Sequence, residues 1–84
     1  MDNKVSPDDQ NLAAELDARG LLCPLPVLKL RKRLEACVTG DLFKIMTDDP
    51  AAVLDVPHFC AEQGHKIISQ VQIGGHCVFV IEKS

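Results

Sequence analysis

The stretch LDARGLLCPLPVLKLRKRL, residues 16–34, predicts a strand end, a tight turn and a helix in immediate succession. Just before and at its start, apolar residues recur at every second position, as in a strand with one buried face: Leu12, Ala14 and Leu16. Gly20 is the natural pivot of the turn. Pro24 suits the first position of a helix, where its missing N–H loses no bond. Cys23 is therefore predicted to lie at or next to the N-cap of this helix.

The first helix is predicted from about Pro24 to Ala36 or Cys37, and Gly40 is a natural stop behind it. Its apolar residues fall at helical spacing and predict one buried stripe: Val27, Leu30, Leu34 and Val38. Basic residues cluster on the opposite face with Ala36: Lys29, Lys32 and Arg33.

The second half of the chain continues the alternation of strands and helices. LFKIMT, residues 42–47, predicts a strand whose Phe43 and Ile45 point inward. The following segment offers two helix starts, so we expect a short first turn, a break near Asp55 and a helix to Gln63. Gly64 is expected to end that helix.

The last part of the chain predicts a β-hairpin around Gly74-Gly75. Its first strand carries polar residues and reads as an edge, while the second is apolar from Cys77 to Ile81 and reads as central. The predicted fold is α+β, a two-layer α/β sandwich of order βαβαββ with a four-stranded mixed sheet and two helices on one face. Val78 and Val80 are then either an apolar patch for a partner on the open sheet face or ordinary surface valines.

The chain has 84 residues and a net charge of −3. That length predicts one domain over residues 11–84 behind a disordered leader, residues 1–10. The acidic balance argues against direct nucleic-acid binding. No apolar run is long enough to span a bilayer and no export signal is evident, so we expect a cytoplasmic monomer with no membrane partner.

Four cysteines are present, without a C-x-x-C pair or zinc-finger spacing. We expect no cofactor and no metal. Cys37, Cys60 and Cys77 are interpreted as buried, inert residues that pack as small hydrophobes.

Cys23 is the candidate reactive residue. The partial positive charge of a helix N-terminus stabilises an anion, which predicts a thiol pKa lowered by a few tenths to about 1.5 units. Pro24 and Pro26 carry no N–H, so only Leu25 offers a donor in the first turn, and the activation should be modest. An apolar collar is expected around the sulfur, suited to a thiol that another protein must reach: Leu21, Leu22 and Leu25.

Two further groups of residues have a functional and a plainer interpretation. The basic cluster of Lys29, Lys32 and Arg33, with Arg31 beside it, is either a solvated face or a docking surface for an acidic partner. His58 could pair with Cys23 if the second helix starts beside the first, but a solvated surface histidine is the better interpretation.

Two blocks of the sequence resemble the small sulfur-carrier proteins of the TusA/SirA type. The first block matches in the following residues: Leu16, Asp17, Gly20, Cys23, Pro24 and Pro26. The second block is DDPAAVLDVPHFCAEQGH, residues 48–65, and the resemblance covers about residues 12–82. Leu25 stands where some relatives carry an acidic residue.

This resemblance implies a sheet order of 1-2-4-3 with the last strand antiparallel to the others. It also implies that Cys23 accepts sulfane sulfur from a cysteine desulfurase or a rhodanese-like donor, holds it as a persulfide and relays it to an acceptor protein. The pathways served across the family include tRNA thiolation, molybdenum-cofactor enzymes and sulfur oxidation. Such a chain is a sulfurtransferase-like carrier rather than an enzyme that turns over alone.

Two other classes of function stay open at the level of sequence. An exposed Cys23 could instead form a sulfenic acid or mixed disulfide in a thiol redox module. The chain could also be a regulatory or interaction domain that uses its basic helix and open sheet face.

Overall fold

The computed structural model describes residues 12–84, so the leader expected over residues 1–10 lies outside the described residues. The described part forms six elements: β1 Leu12–Asp17, α1 Leu25–Glu35, β2 Leu42–Thr47, α2 Pro50–Gln63, β3 Lys66–Ile73 and β4 His76–Glu82. This βαβαββ order confirms the predicted fold class. No helix within this part is both long enough and apolar enough to cross a membrane.

The four strands form one mixed sheet in the order β1-β2-β4-β3. β1 pairs with β2 in parallel, and β4 is antiparallel to both of its neighbours. The central position of β4 and the edge position of β3 are as the sequence predicted. Along β4, Phe79 and Ile81 are fully buried on the helix side, while Val78 and Val80 are half-buried on the other face. This sheet places the turn before α1 beside the start of α2.

The core lies between the sheet and the two helices. Leu30 and Leu34 of α1 pack with Phe43 and Ile45 of β2, and all four are buried. Burying one such side chain contributes about 1.5–3 kcal/mol. The sequence pattern placed Val38 in the apolar stripe, but this prediction is wrong, because Val38 is 68% exposed. The reason is that α1 ends at Glu35, so Val38 lies beyond the helix and outside its periodicity.

α2 is one continuous helix, so the predicted break near Asp55 is wrong. Pro57 lies inside it and removes one backbone hydrogen bond, at a cost of about 3 kcal/mol. Buried Val56 and Phe59 flank this proline and pack into the core, which offsets the cost. Tertiary packing therefore overrides the local signal. Gly64 ends the helix in the left-handed conformation, with φ of 80°.

Candidate functional site

Cys23 lies in the turn directly before α1, with its side chain exposed. Pro24 is the N-cap of the helix, the Cys23–Pro24 peptide bond is cis, and no side chain caps α1. Leu22 and Leu25 are exposed beside the sulfur, as expected for an apolar collar. Leu21, the third expected member, packs against the core instead. The thiol is therefore exposed on this turn, with exposed leucines close to it in the chain.

Asp49 ties the Cys23 turn to the start of α2. One carboxylate oxygen caps α2 by accepting a hydrogen bond from the Ala51 N–H, and the other accepts from the Cys23 N–H. Asp48 accepts a hydrogen bond from the Gly20 N–H at 2.9 Å, and Gly20 has a φ of 85° that favours glycine. Two adjacent aspartates thus hold both ends of the turn that presents the cysteine.

Asp17 is the last residue of β1 and bonds to the turn that follows the strand. Its carboxylate accepts hydrogen bonds from the Arg19 side chain at 2.8 Å and from the Arg19 backbone N–H at 3.1 Å. These bonds lower the pKa of Asp17 to about 2. Both side chains are exposed, so the pair orients the turn more than it stabilises the fold.

Asp55 is the functional candidate that the sequence analysis did not assign to the site. The Cys23 thiol donates a hydrogen bond to its Oδ2, with 2.9 Å between sulfur and oxygen. This bond, then desolvation, then the negative charges of Asp55 and Asp49, raise the pKa of Cys23. The predicted lowering of that pKa is therefore wrong.

The helix end does not compensate, since among the hydrogen bonds of residues 12–84 no backbone N–H of α1 donates to the sulfur. Leu25 was the one residue of the first turn expected to offer an N–H, and that N–H donates to the Leu22 carbonyl at 2.9 Å. Pro24 and Pro26 have none to offer. A carboxylate in direct contact then outweighs the helix dipole. One feature of the sequence could have indicated a role for Asp55, since it lies inside α2 within the second block that resembles sulfur carriers.

The basic residues of α1 divide between two surfaces. Lys29, Lys32 and Arg33 line a shallow cavity of about 180 Å³ with Leu16. Arg31 instead faces a groove of about 300 Å³ between α1 and α2. Only this second groove reaches the Cys23 turn, because Pro24 and Asp55 also line it. The cluster named in the sequence analysis and the thiol thus lie on separate surfaces.

His58 also lines the groove between the helices, but it is highly exposed and lies 3.4 Å from Glu62. Among residues 12–84, no cluster of three or more potential metal ligands is present.

The other three cysteines differ in their environments. Cys60 and Cys77 are buried, and burial raises the pKa of Cys60 to about 11. Cys37 is only half-buried, which corrects the expectation that all three lie inside. It follows the end of α1 and packs against the core while staying partly exposed. All four thiols are free.

Comparisons with known proteins agree with this architecture. Residues 14–83 match the family described as sulfurtransferase TusA. The chain is 39% identical over 70 residues to the sulfur carrier protein TusA of Allochromatium vinosum, covering 83% of this chain and 92% of the relative. It is 37% identical over 70 residues to that of Pseudomonas entomophila, covering 83% and 88%.

A solved structure shares the fold. The SirA-like protein from Desulfitobacterium hafniense superposes with a TM-score of 0.72 at 21% identity, over 82% of this chain and 95% of that one. The architecture is thus a two-layer α+β domain with a cysteine in the turn before its first helix. The chain belongs to the sulfurtransferase TusA family.

Proposed function

We propose that this chain is a sulfur carrier in which Cys23 accepts a sulfane sulfur, holds it as a persulfide and passes it to an acceptor protein. One observation carries the proposal. Of the four cysteines, all within the described residues, Cys23 alone is exposed to solvent, while Cys37 is half-buried and the other two are buried. It belongs to a chain whose relatives are named sulfur carrier proteins.

The position of Cys23 suits transfer between proteins. Each handover is an attack of one sulfur on another, and its rate depends on access as well as on the pKa of the attacking thiol. The sulfur stands on a turn rather than inside a closed pocket, so the reactive groups of different partners can reach it. We propose a cysteine desulfurase or a rhodanese-like protein as donor, and tRNA-thiolation, molybdenum-cofactor or sulfur-oxidation proteins as acceptors. Four free thiols favour a reducing compartment such as the cytoplasm.

The supporting residues have distinct proposed roles. Asp17 and Gly20 shape the turn, and Pro24 and Pro26 stiffen the start of α1. Leu25 offers apolar surface to a partner beside the sulfur. The basic cluster lies on a surface separate from the thiol, and its proposed role is to steer acidic partners during association: Lys29, Lys32 and Arg33.

Intact-protein mass spectrometry tests this proposal. The chain is incubated with a cysteine desulfurase and cysteine, and separately with a rhodanese and thiosulfate. We expect a gain of one sulfur atom that reductant removes, in wild type and in the matched control Cys37→Ser but not in Cys23→Ser. Loading of Cys23→Ser, or no loading of wild type by either donor, would contradict the proposal.

The redox alternative finds less support in the site. A peroxide-sensing cysteine needs a high thiolate fraction. The hydrogen bond to Asp55 raises the pKa of Cys23 and so lowers that fraction. The same mass measurement separates the two functions, because oxidation adds oxygen or forms a disulfide instead of adding sulfur.

A further inference from the structure

We propose that Asp55 is a positioning residue that keeps Cys23 protonated in the isolated chain, and that a cationic group of the docking donor releases the thiolate by pairing with Asp55. This inference rests on the proposed function. It assigns to Asp55 the control of when the carrier cysteine reacts.

The first argument is the geometry of the contact. Asp55 lies about one and a half turns into α2, and its Oδ2 is 2.9 Å from the Cys23 Sγ. On the backbone side, Asp49 accepts the Cys23 N–H. Two groups that belong to or cap α2 therefore fix both the main chain and the side chain of the cysteine. The thiol donates to a carboxylate at this distance, and a thiolate could not share the contact with an ionised carboxylate, because the two anions would repel each other.

The second argument is the charge around the sulfur. Asp55 faces it from α2, and Asp49 faces it from the segment before α2. In the adjoining groove, Arg31 of α1 is the facing cation, while His58 lies beside Glu62. None of these positive groups contacts the thiol among the hydrogen bonds and ion pairs of residues 12–84. The raised pKa of Cys23 has the direction that this arrangement requires.

The transfer step balances without an added oxidant. A donor persulfide, R–S–SH, reacts with Cys23–SH to give Cys23–S–SH and R–SH. The Cys23 Sγ forms a bond to the sulfane sulfur, the bond from that sulfur to the donor cysteine breaks, and its electron pair leaves on the donor thiolate. The Cys23 proton leaves to water once the donor cation pairs with Asp55, and the departing donor thiolate takes up a proton from water, so the proton count is unchanged. Sulfane sulfur moves with no net oxidation or reduction.

The requirement for a cation follows from the same contact. While Asp55 is charged and unpaired, a thiolate at Cys23 would face a second anion at hydrogen-bond distance. A lysine or arginine of the donor that pairs with Asp55 removes that repulsion at the moment of contact. The unloaded carrier is then less reactive toward adventitious electrophiles than toward its donor.

The test compares Asp55→Asn with Asp48→Asn. Asparagine has the shape of aspartate without its charge, and Asp48 contacts the Gly20 N–H rather than the sulfur. The rate of reaction of Cys23 with a neutral aromatic disulfide is measured from pH 6 to pH 10, with Cys23→Ser supplying the background of the other thiols. Circular dichroism and thermal unfolding confirm that each variant is folded.

We expect Asp55→Asn to shift the midpoint of the pH profile downward and Asp48→Asn to leave it nearly in place. A fall of one pKa unit gives about ten times more thiolate at neutral pH, while each thiolate reacts about three times more slowly, so the net rate rises about threefold. An unchanged midpoint in Asp55→Asn, or equal shifts in both variants, would overturn the proposal. So would a wild-type midpoint below that of a synthetic peptide of residues 19–27.

A second readout addresses the cation. The rate with cystamine, a dicationic disulfide, is divided by the rate with the neutral bis(2-hydroxyethyl) disulfide. We expect this ratio to fall severalfold in Asp55→Asn and to change less in Asp48→Asn, whereas an unchanged ratio in Asp55→Asn would refute the role of the cation. Neither readout depends on sulfur loading, so failure of this inference is distinguishable from failure of the carrier function.

Discussion

Each helix of this chain begins at or just after a residue followed by proline, but the two N-termini are capped differently. α2 opens on Asp49 and Pro50, and the Asp49 side chain caps the helix. α1 opens on Cys23 and Pro24 with no side-chain cap. The carboxylate that caps α2 also holds the Cys23 N–H. The Asp49 carboxylate thus stabilises the N-terminus of α2 and also holds the backbone of the turn before α1. The Cys23 thiol on that turn stays exposed.

The largest expected effect concerns the thiols of the two helices. Cys23 precedes α1 and is exposed, whereas Cys60 is buried inside α2 and Cys77 is buried in β4. We expect a thiol reagent at pH 8 to modify Cys23 at least about 100-fold faster than the two buried residues, because their reaction needs a local opening that costs several kcal/mol. Cys37 should react at an intermediate rate. Peptide mapping after timed quenching measures the modification rate of each cysteine. Fast modification of Cys60 would show that α2 opens more readily than its buried contacts imply.

The second prediction removes the group that links the two helix starts. Asp49→Ala deletes the α2 cap and the acceptor of the Cys23 N–H, so we expect the free energy of unfolding to fall by about 2–3 kcal/mol. Asp48→Ala is the matched control at the neighbouring position, with an expected loss of about 1 kcal/mol or less, because Asp48 is exposed and makes one backbone contact. Urea unfolding measures both. Equal losses would mean that Asp49 contributes no more to stability than its exposed neighbour Asp48.

The smallest effect is expected at the exposed thiol itself. Cys23→Ser should change the free energy of unfolding by no more than about 0.5 kcal/mol. Pro24 is the N-cap, so the serine cannot cap α1, but its hydroxyl can still donate to Asp55. A loss of several kcal/mol in urea unfolding would show that the start of α1 depends on the sulfur and is not left open for chemistry.

Local patterns were sufficient for the elements of the fold. Alternation in β2 arises from burial against the helices and the apolar run in β4 accompanies its central place in the sheet, and such patterns are readable because they repeat along each strand. The break predicted near Asp55 failed for the converse reason. A proline signal is local, whereas the packing of Val56 and Phe59 that carries α2 through it comes from the sheet.

The site divides in the same way. Cys23 could be singled out by the residues around it, since Pro24 and Pro26 mark a helix start that a buried cysteine does not need. The direction of its pKa shift could not be predicted, because Asp55 follows Cys23 by 32 positions in the chain. Asp55 contacts Cys23 only when α2 packs beside α1. The separation of Arg31 from Lys29, Lys32 and Arg33 also depends on where the second helix lies.

The sequence by itself thus determined the order of strands and helices, the buried faces and the cysteine that stands at the first helix. These features depend on the spacing of apolar, glycine and proline residues within one segment, and that spacing can be read directly from the sequence. The tertiary structure alone decided the direction in which the pKa of that cysteine moves. Electrostatic effects on a thiol fall off with distance, so the carboxylate brought to 2.9 Å by packing outweighs the helix end that is its neighbour in sequence.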